Sequence, residues 1–138
     1  MGNEKKLAHL EMIQGVINRM ASNSFSLKGW AVTLVAGIFV LSSKDANKLY
    51  FLAAYLPVIV FWFLDSYYLM QGRRYRFLYD KVRKLSEEDI DFDMNAQNEE
   101  FKIERNKFIP SLISGTEAGF YVPLALVISL IIIVTKAL

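Results

Sequence analysis

Charge is distributed so unevenly along this 138-residue chain that the fold class follows from its gaps. Three long stretches are free of charge or nearly so: Gly29 to Ser43, Leu49 to Gly72 broken only by Asp65, and Ala118 to Thr135. A soluble domain spreads its apolar residues periodically, so blocks of this kind predict membrane spans. The last block has a nearly continuous Leu, Ile and Val core from Leu124 to Val134. The middle one is long enough to cross with some tilt. The first is short: fifteen residues make a helix of ~22 Å against a hydrocarbon core of ~30 Å. Phe25 and Leu27 extend it, Lys28 can snorkel to the headgroups, and Trp30 suits an interfacial anchor.

The expected fold class is therefore all-α: an integral membrane protein with three transmembrane helices and a single membrane domain. The expected segments are an amphipathic helix at 1–24, spans at 27–43, 49–70 and 118–136, and a helical link at 71–117. Pro57 removes a backbone donor and should kink the second span near Ala53, whereas Pro123 falls in the first turns of the third. Residues 44–48 are too few for anything but an antiparallel hairpin.

The basic residues set an expected orientation. Thirteen of the sixteen Lys and Arg lie on the N-terminal segment and the long link, which three spans place on one side. By the positive-inside rule that side is cytoplasmic, which leaves the C-terminus periplasmic or extracellular in a bacterial inner membrane. The first 28 residues are amphipathic and charged, so no signal peptide is expected.

Leu7, Leu10, Ile13, Ile17 and Met20 share one helix face. They either pack on the chain's own long link or lie on the membrane surface. The Ser22-Asn23-Ser24 cluster is expected to break this helix before the first span. Gly29, Thr33 and Gly37 form a small-residue ridge that suits close helix packing, either within the chain or against a neighbouring subunit. Asp65 is the lone carboxylate of its span, and facing lipid would cost on the order of 3 kcal/mol. It is a candidate pore-lining or intersubunit residue; otherwise it pairs locally with Lys28 or a tyrosine. Lys28, Arg73, Arg74 and Arg76 are expected at the interface or in the cytoplasm. Beyond Gly72, residues Tyr75, Leu78, Val82 and Leu85 continue a seven-residue stripe from Tyr68 through Gln71, as a helix burying one face would.

No catalytic constellation emerges, and a non-enzymatic protein is expected. His9 is the only histidine and there are no cysteines, so neither a two-histidine metal site nor a thiolate site can form in one chain. Asp89, Asp91, Asp93 and Glu100 match positions of a calcium loop, but Met94 replaces its glycine, so a solvated acidic turn facing the basic helix is the better reading. Neither metal nor cofactor is expected. The acidic run also argues against a nucleic-acid partner, because it would repel phosphates. The expected partners are the lipid bilayer, further copies of the chain, and a cytoplasmic protein recruited by the link.

The stretch Ile13-Gln14-Gly15-Val16-Ile17-Asn18-Arg19-Met20, followed by Phe25-Ser26-Leu27-Lys28-Gly29-Trp30-Ala31-Val32-Thr33-Leu34, resembles the opening of the RipA-like family of small octameric bacterial membrane proteins. The similarity covers about the first 35 residues and the following hairpin. Relatives associated with that family act beside antiphage defence systems, among them an octameric pore accompanying an RNA-targeting CRISPR nuclease. The resemblance implies a ring-shaped homo-oligomer that acts on the membrane. A non-enzymatic anchor or scaffold is the alternative.

Overall fold

The computed structural model describes residues 2–42 and 48–137. Regular structure there is helical: α1 (Glu4–Ser42), α2 (Lys48–Leu52), α3 (Tyr55–Arg83), α4 (Phe108–Leu112) and α5 (Gly115–Ala137), with three single 3₁₀ turns between α3 and α4. Three helical stretches are long and apolar enough to cross a membrane. The expected link at 44–48 and the end of the first span at residue 43 lie outside the described residues, except that the backbone of Lys48 begins α2.

α1 is one unbroken helix of 39 residues, hence ~58 Å long, nearly twice the ~30 Å of a hydrocarbon core. The break expected at Ser22-Asn23-Ser24 does not occur. The stretch holds neither Pro nor Gly, and Ser24 donates its hydroxyl to Asp65 on α3 instead of competing for its own backbone. One turn earlier Gln14 donates to Asn18 across an i,i+4 step at 2.9 Å.

The second span breaks near Ala53, where Pro57 was expected to kink it: α2 ends at Leu52 and α3 starts at Tyr55. Pro57 has no N–H for the Ala53 carbonyl, which accepts instead from the Leu56 N–H at 3.1 Å. From there α3 runs 29 residues without interruption through Gly72 to Arg83. Gly72 allows close approach, since a Cβ there would lie 3.7 Å from the Cβ of Met20.

Two apolar clusters hold the molecule. One joins the first half of α1 to the second half of α3: Ile13, Ile17, Leu78 and Val82, closed by Ala96 and Phe101 of the link. The amphipathic face of α1 and the stripe on α3 therefore meet each other, with Leu10 and Tyr75 at the margin. Leu7 stays exposed and Leu85 is half-buried. The other cluster lies among the apolar blocks: Ala31 and Val35 of α1, Ala54 and Val58 around the break, and Tyr121 and Ile128 of α5.

The link wraps the first cluster. Glu87 caps α1, its Oε1 and Oε2 accepting the N–H groups of Lys5 and Lys6 at 2.9 and 3.0 Å. His9, fully buried, meets the Asp93 carbonyl at 2.9 Å through Nε2 and lies beside the Phe92 ring. Three successive Asp or Asn side chains then accept the N–H two residues on, from Asp91 to Asp93, Asp93 to Asn95 and Asn95 to Gln97. Two 3₁₀ turns, Glu99–Phe101 and Glu104–Asn106, lead into α4, which runs through Pro110 in its first turn, where a missing N–H costs little.

Candidate functional site

The polar residues of the apolar half converge at one place. Asp65, on α3, is fully buried. Its Oδ1 accepts from the Ser24 hydroxyl, and its Oδ2 accepts from Lys28 Nζ at 2.6 Å and from the Tyr121 hydroxyl at 2.9 Å. Lys28 Nζ also donates to Ser24 Oγ at 2.9 Å and to Glu117 Oε1 at 3.2 Å. Three helices therefore meet at one charged centre: Ser24 and Lys28 one turn apart on α1, Asp65 on α3, and Glu117 and Tyr121 one turn apart on α5. Aromatic faces close it. Lys28 Nζ lies 5.9 and 6.0 Å from the ring centres of Phe120 and Tyr121, and Trp62 stacks on Tyr121 while donating to the Leu112 carbonyl at 2.9 Å.

Asp65 thus has its partners inside its own chain, and the local pairing with Lys28 and a tyrosine describes it. An exposed pore-lining placement does not. Lys28 does not snorkel outward: two buried carboxylates draw its ammonium in, and its side chain is only 17% exposed. Glu117 falls outside the expected spans, because α5 begins at Gly115, three residues before the expected start of the third. A carboxylate in a first turn is ordinary helix-dipole chemistry and gave no signal of its own. Glu117 is fully buried, and among the described residues its Oε2 has no hydrogen-bond partner.

A groove of about 390 Å³ leads to this cluster between α1, α3 and the start of α5. Ile17, Met20, Phe25 and Leu69 give it apolar walls, Lys28, Thr116 and Glu117 line one part, and Arg76 another. The Arg76 side chain is exposed and makes no hydrogen bond or ion pair among the described residues. The neighbouring arginines are engaged by the link. Arg73 donates to the Arg105 carbonyl at 2.8 Å. Arg74, buried, donates to the Asn106 carbonyl at 3.1 Å and to Gln97 Oε1 at 2.7 Å.

The Gly29, Thr33 and Gly37 ridge packs against no other element among the described residues. All three residues are exposed, and a Cβ on either glycine would meet nothing within 4 Å. Ala31 and Val35 carry the inward face instead. Residue 31 stands about 200° round the helix from residue 29, almost opposite the ridge. Thr33 returns its hydroxyl to the Gly29 carbonyl at 2.9 Å.

The acidic residues of the link do not converge on an ion. Asp89 accepts from Ser86, Asp91 and Asp93 accept backbone N–H groups, and Glu100 pairs with Lys81 at 2.7 Å. Among the described residues no three metal-binding side chains gather at one point. The chemistry this arrangement offers is the holding and exchange of charge in an apolar setting. No protein-family model, curated protein or solved structure matches this chain.

Proposed function

We propose that this chain is a bacterial inner-membrane protein that acts without catalysis as a homo-oligomeric ring or pore-like effector, in the antiphage context that the RipA-like resemblance implies. The observation that carries the reading is the open face of α1. Gly29, Thr33 and Gly37 stand exposed in an apolar span with none of the chain's own side chains against the glycines, and small residues let a second helix approach closely. Large apolar side chains flank it, with Trp30 60% and Val40 63% exposed. The bundle interior is filled by Ala31, Val35, Val58, Tyr121 and Ile128, so any conducting path runs between copies. In this reading the N-terminus and the link are cytoplasmic, supported by thirteen of sixteen basic residues on those segments.

A second reading is an anchor or scaffold that recruits a cytoplasmic partner. It is favoured by the self-contained half built on Ile13, Leu78 and Phe101, which projects well beyond the apolar blocks. Native mass spectrometry together with dye leakage from liposomes separates the two. One defined ring size with leakage supports the effector, while a monomer in tight vesicles refutes it. A reporter inserted at Asn95 should read the cytoplasm and one fused after Leu138 the periplasm; the reverse pattern overturns the topology.

A further inference from the structure

The charged centre does not balance. Lys28 supplies one ammonium, while Asp65 and Glu117 supply two carboxyl groups, all three in contact and both carboxyl side chains fully buried. The donors are shared unequally. Among the described residues the Asp65 carboxyl receives Ser24, Lys28 and Tyr121, whereas the Glu117 carboxyl receives only Lys28, on Oε1. Among the described residues Glu117 Oε2 is enclosed and has no donor, and the Glu117 carboxyl meets the same Lys28 ammonium as Asp65, at 3.2 and 2.6 Å. Two carboxylates this close in an apolar site repel, and each orphaned lone pair lacks the water it would otherwise have. A carboxyl O–H directed from one to the other removes both conflicts, because only a protonated carboxyl can donate.

We propose that Glu117 and Asp65 form a proton-binding site in which the two carboxyl groups share one exchangeable proton, taken up and released through the groove between α1 and α3. The ligand is the proton itself. Uptake forms one O–H bond on the carboxyl pair as one O–H bond of a hydronium ion in the groove breaks and leaves water, and release is the reverse transfer to water. Glu117 stands on the groove wall, while Asp65 lies behind it. The charged and titratable groups that surround the pair are Lys28 of α1, Arg73 and Arg76 of α3, and Tyr121 of α5. Arg73 acts on Glu117 through space and Arg76 lines the groove. The hydroxyls of Ser24 and Thr116 complete the wall. A metal ion is a poor fit, since Asp65 Oδ2 and Glu117 Oε1 already accept Lys28 and a sodium-sized ion needs more oxygen ligands than remain.

The inference requires the helices to lie in a bilayer and is independent of ring formation. Its test reads the carboxyl group and not the membrane effect. Infrared spectra of the full chain in liposomes should contain a protonated-carboxyl C=O band at neutral pH, equivalent to one group per chain. The band should move on ¹³C labelling of the Asp and Glu carboxyls, disappear in Glu117→Gln, and fade reversibly as pH is raised. Glu117→Gln places an amide donor where the acid O–H stood, so helix content and melting should be retained. Should that variant fail to fold, the labelled wild-type spectrum decides alone. No protonated band in the wild type at neutral pH overturns the proposal, as does a band that persists in both Glu117→Gln and Asp65→Asn.

Discussion

Lys28→Met removes the one ammonium that faces both buried carboxyl groups, and its cost can be worked from the contacts. Lys28 Nζ donates to Asp65 at 2.6 Å, Ser24 at 2.9 Å and Glu117 at 3.2 Å, from a side chain 17% exposed. Removing one partner of a buried pair costs roughly 3–5 kcal/mol, because the other charge is left uncompensated. Asp65 keeps Ser24 and Tyr121 as donors, which places the expected loss at the lower end, about 3 kcal/mol, or about a hundredfold in the folding equilibrium. Asp65→Asn acts differently. It leaves Lys28 facing Glu117 alone, one charge against one, so it should cost less, about 1–2 kcal/mol for the weakened hydrogen bonds. Equilibrium unfolding in mixed micelles measures both, and the double variant measures their coupling. The charge count demands that order. If Lys28→Met costs less than Asp65→Asn, or under ~1 kcal/mol, the cluster is not held by its ammonium and the reasoning fails.

Tyr121→Phe deletes one donor to the Asp65 carboxylate and should cost about 1.5–3 kcal/mol in the same assay; no change would mean the hydroxyl is satisfied elsewhere. Glu87→Ala uncaps α1, so the amides of Lys5 and Lys6 should exchange faster and stability should fall by about 1 kcal/mol. Unchanged exchange at these two amides would refute the cap. A Cβ at Gly37 meets nothing within 4 Å among the described residues, so in Gly37→Leu monomer stability should stay within about 0.5 kcal/mol while oligomer order falls; an oligomer of unchanged size and stability would show that this face meets only lipid.

Much of this arrangement was legible in the sequence, and the unread parts share a physical reason. One Lys at the end of a span and one Asp inside another are conspicuous because charge in hydrocarbon is costly, and Lys28 and Asp65 do meet. Their remaining partners were camouflaged. Ser24 sat among residues that resemble a helix breaker, and Glu117 sat in a first turn where an acid is commonplace. Spacing identified the faces of α1 but not which of them would turn inward: both Gly29/Thr33/Gly37 and Ala31/Val35 recur every four residues, and only packing against α3 and α5 selects the second. The Glu87 cap joins residues more than eighty positions apart, and no local pattern encodes such a bond.

The location of the charged cluster bears on how three apolar helices find one arrangement. In a bilayer, where the proposed function places these helices, the hydrophobic effect gives them no reason to associate, since acyl chains are as apolar as leucine. α1 and α3 have a second source of order, the cluster of Ile13, Ile17, Leu78 and Val82 beyond the apolar blocks, which fixes their register. α5 has no such extension. It buries Tyr121 and Ile128 and otherwise presents Leu126, Leu130 and Ile133 outward. Its depth and rotation are therefore set by polar contacts: Glu117 and Tyr121 on the Lys28–Asp65 pair at one end, and Ser129 with the Tyr55 hydroxyl two turns further on. A slide of one residue would turn Tyr121 by about 100° and leave Asp65, Glu117 and Ser129 without these partners together. Packing of Leu, Ile and Val alone tolerates such a slide, whereas buried polar groups in hydrocarbon do not. The acid–lysine centre that could hold a proton is thus also the device that locks the third helix to the first two.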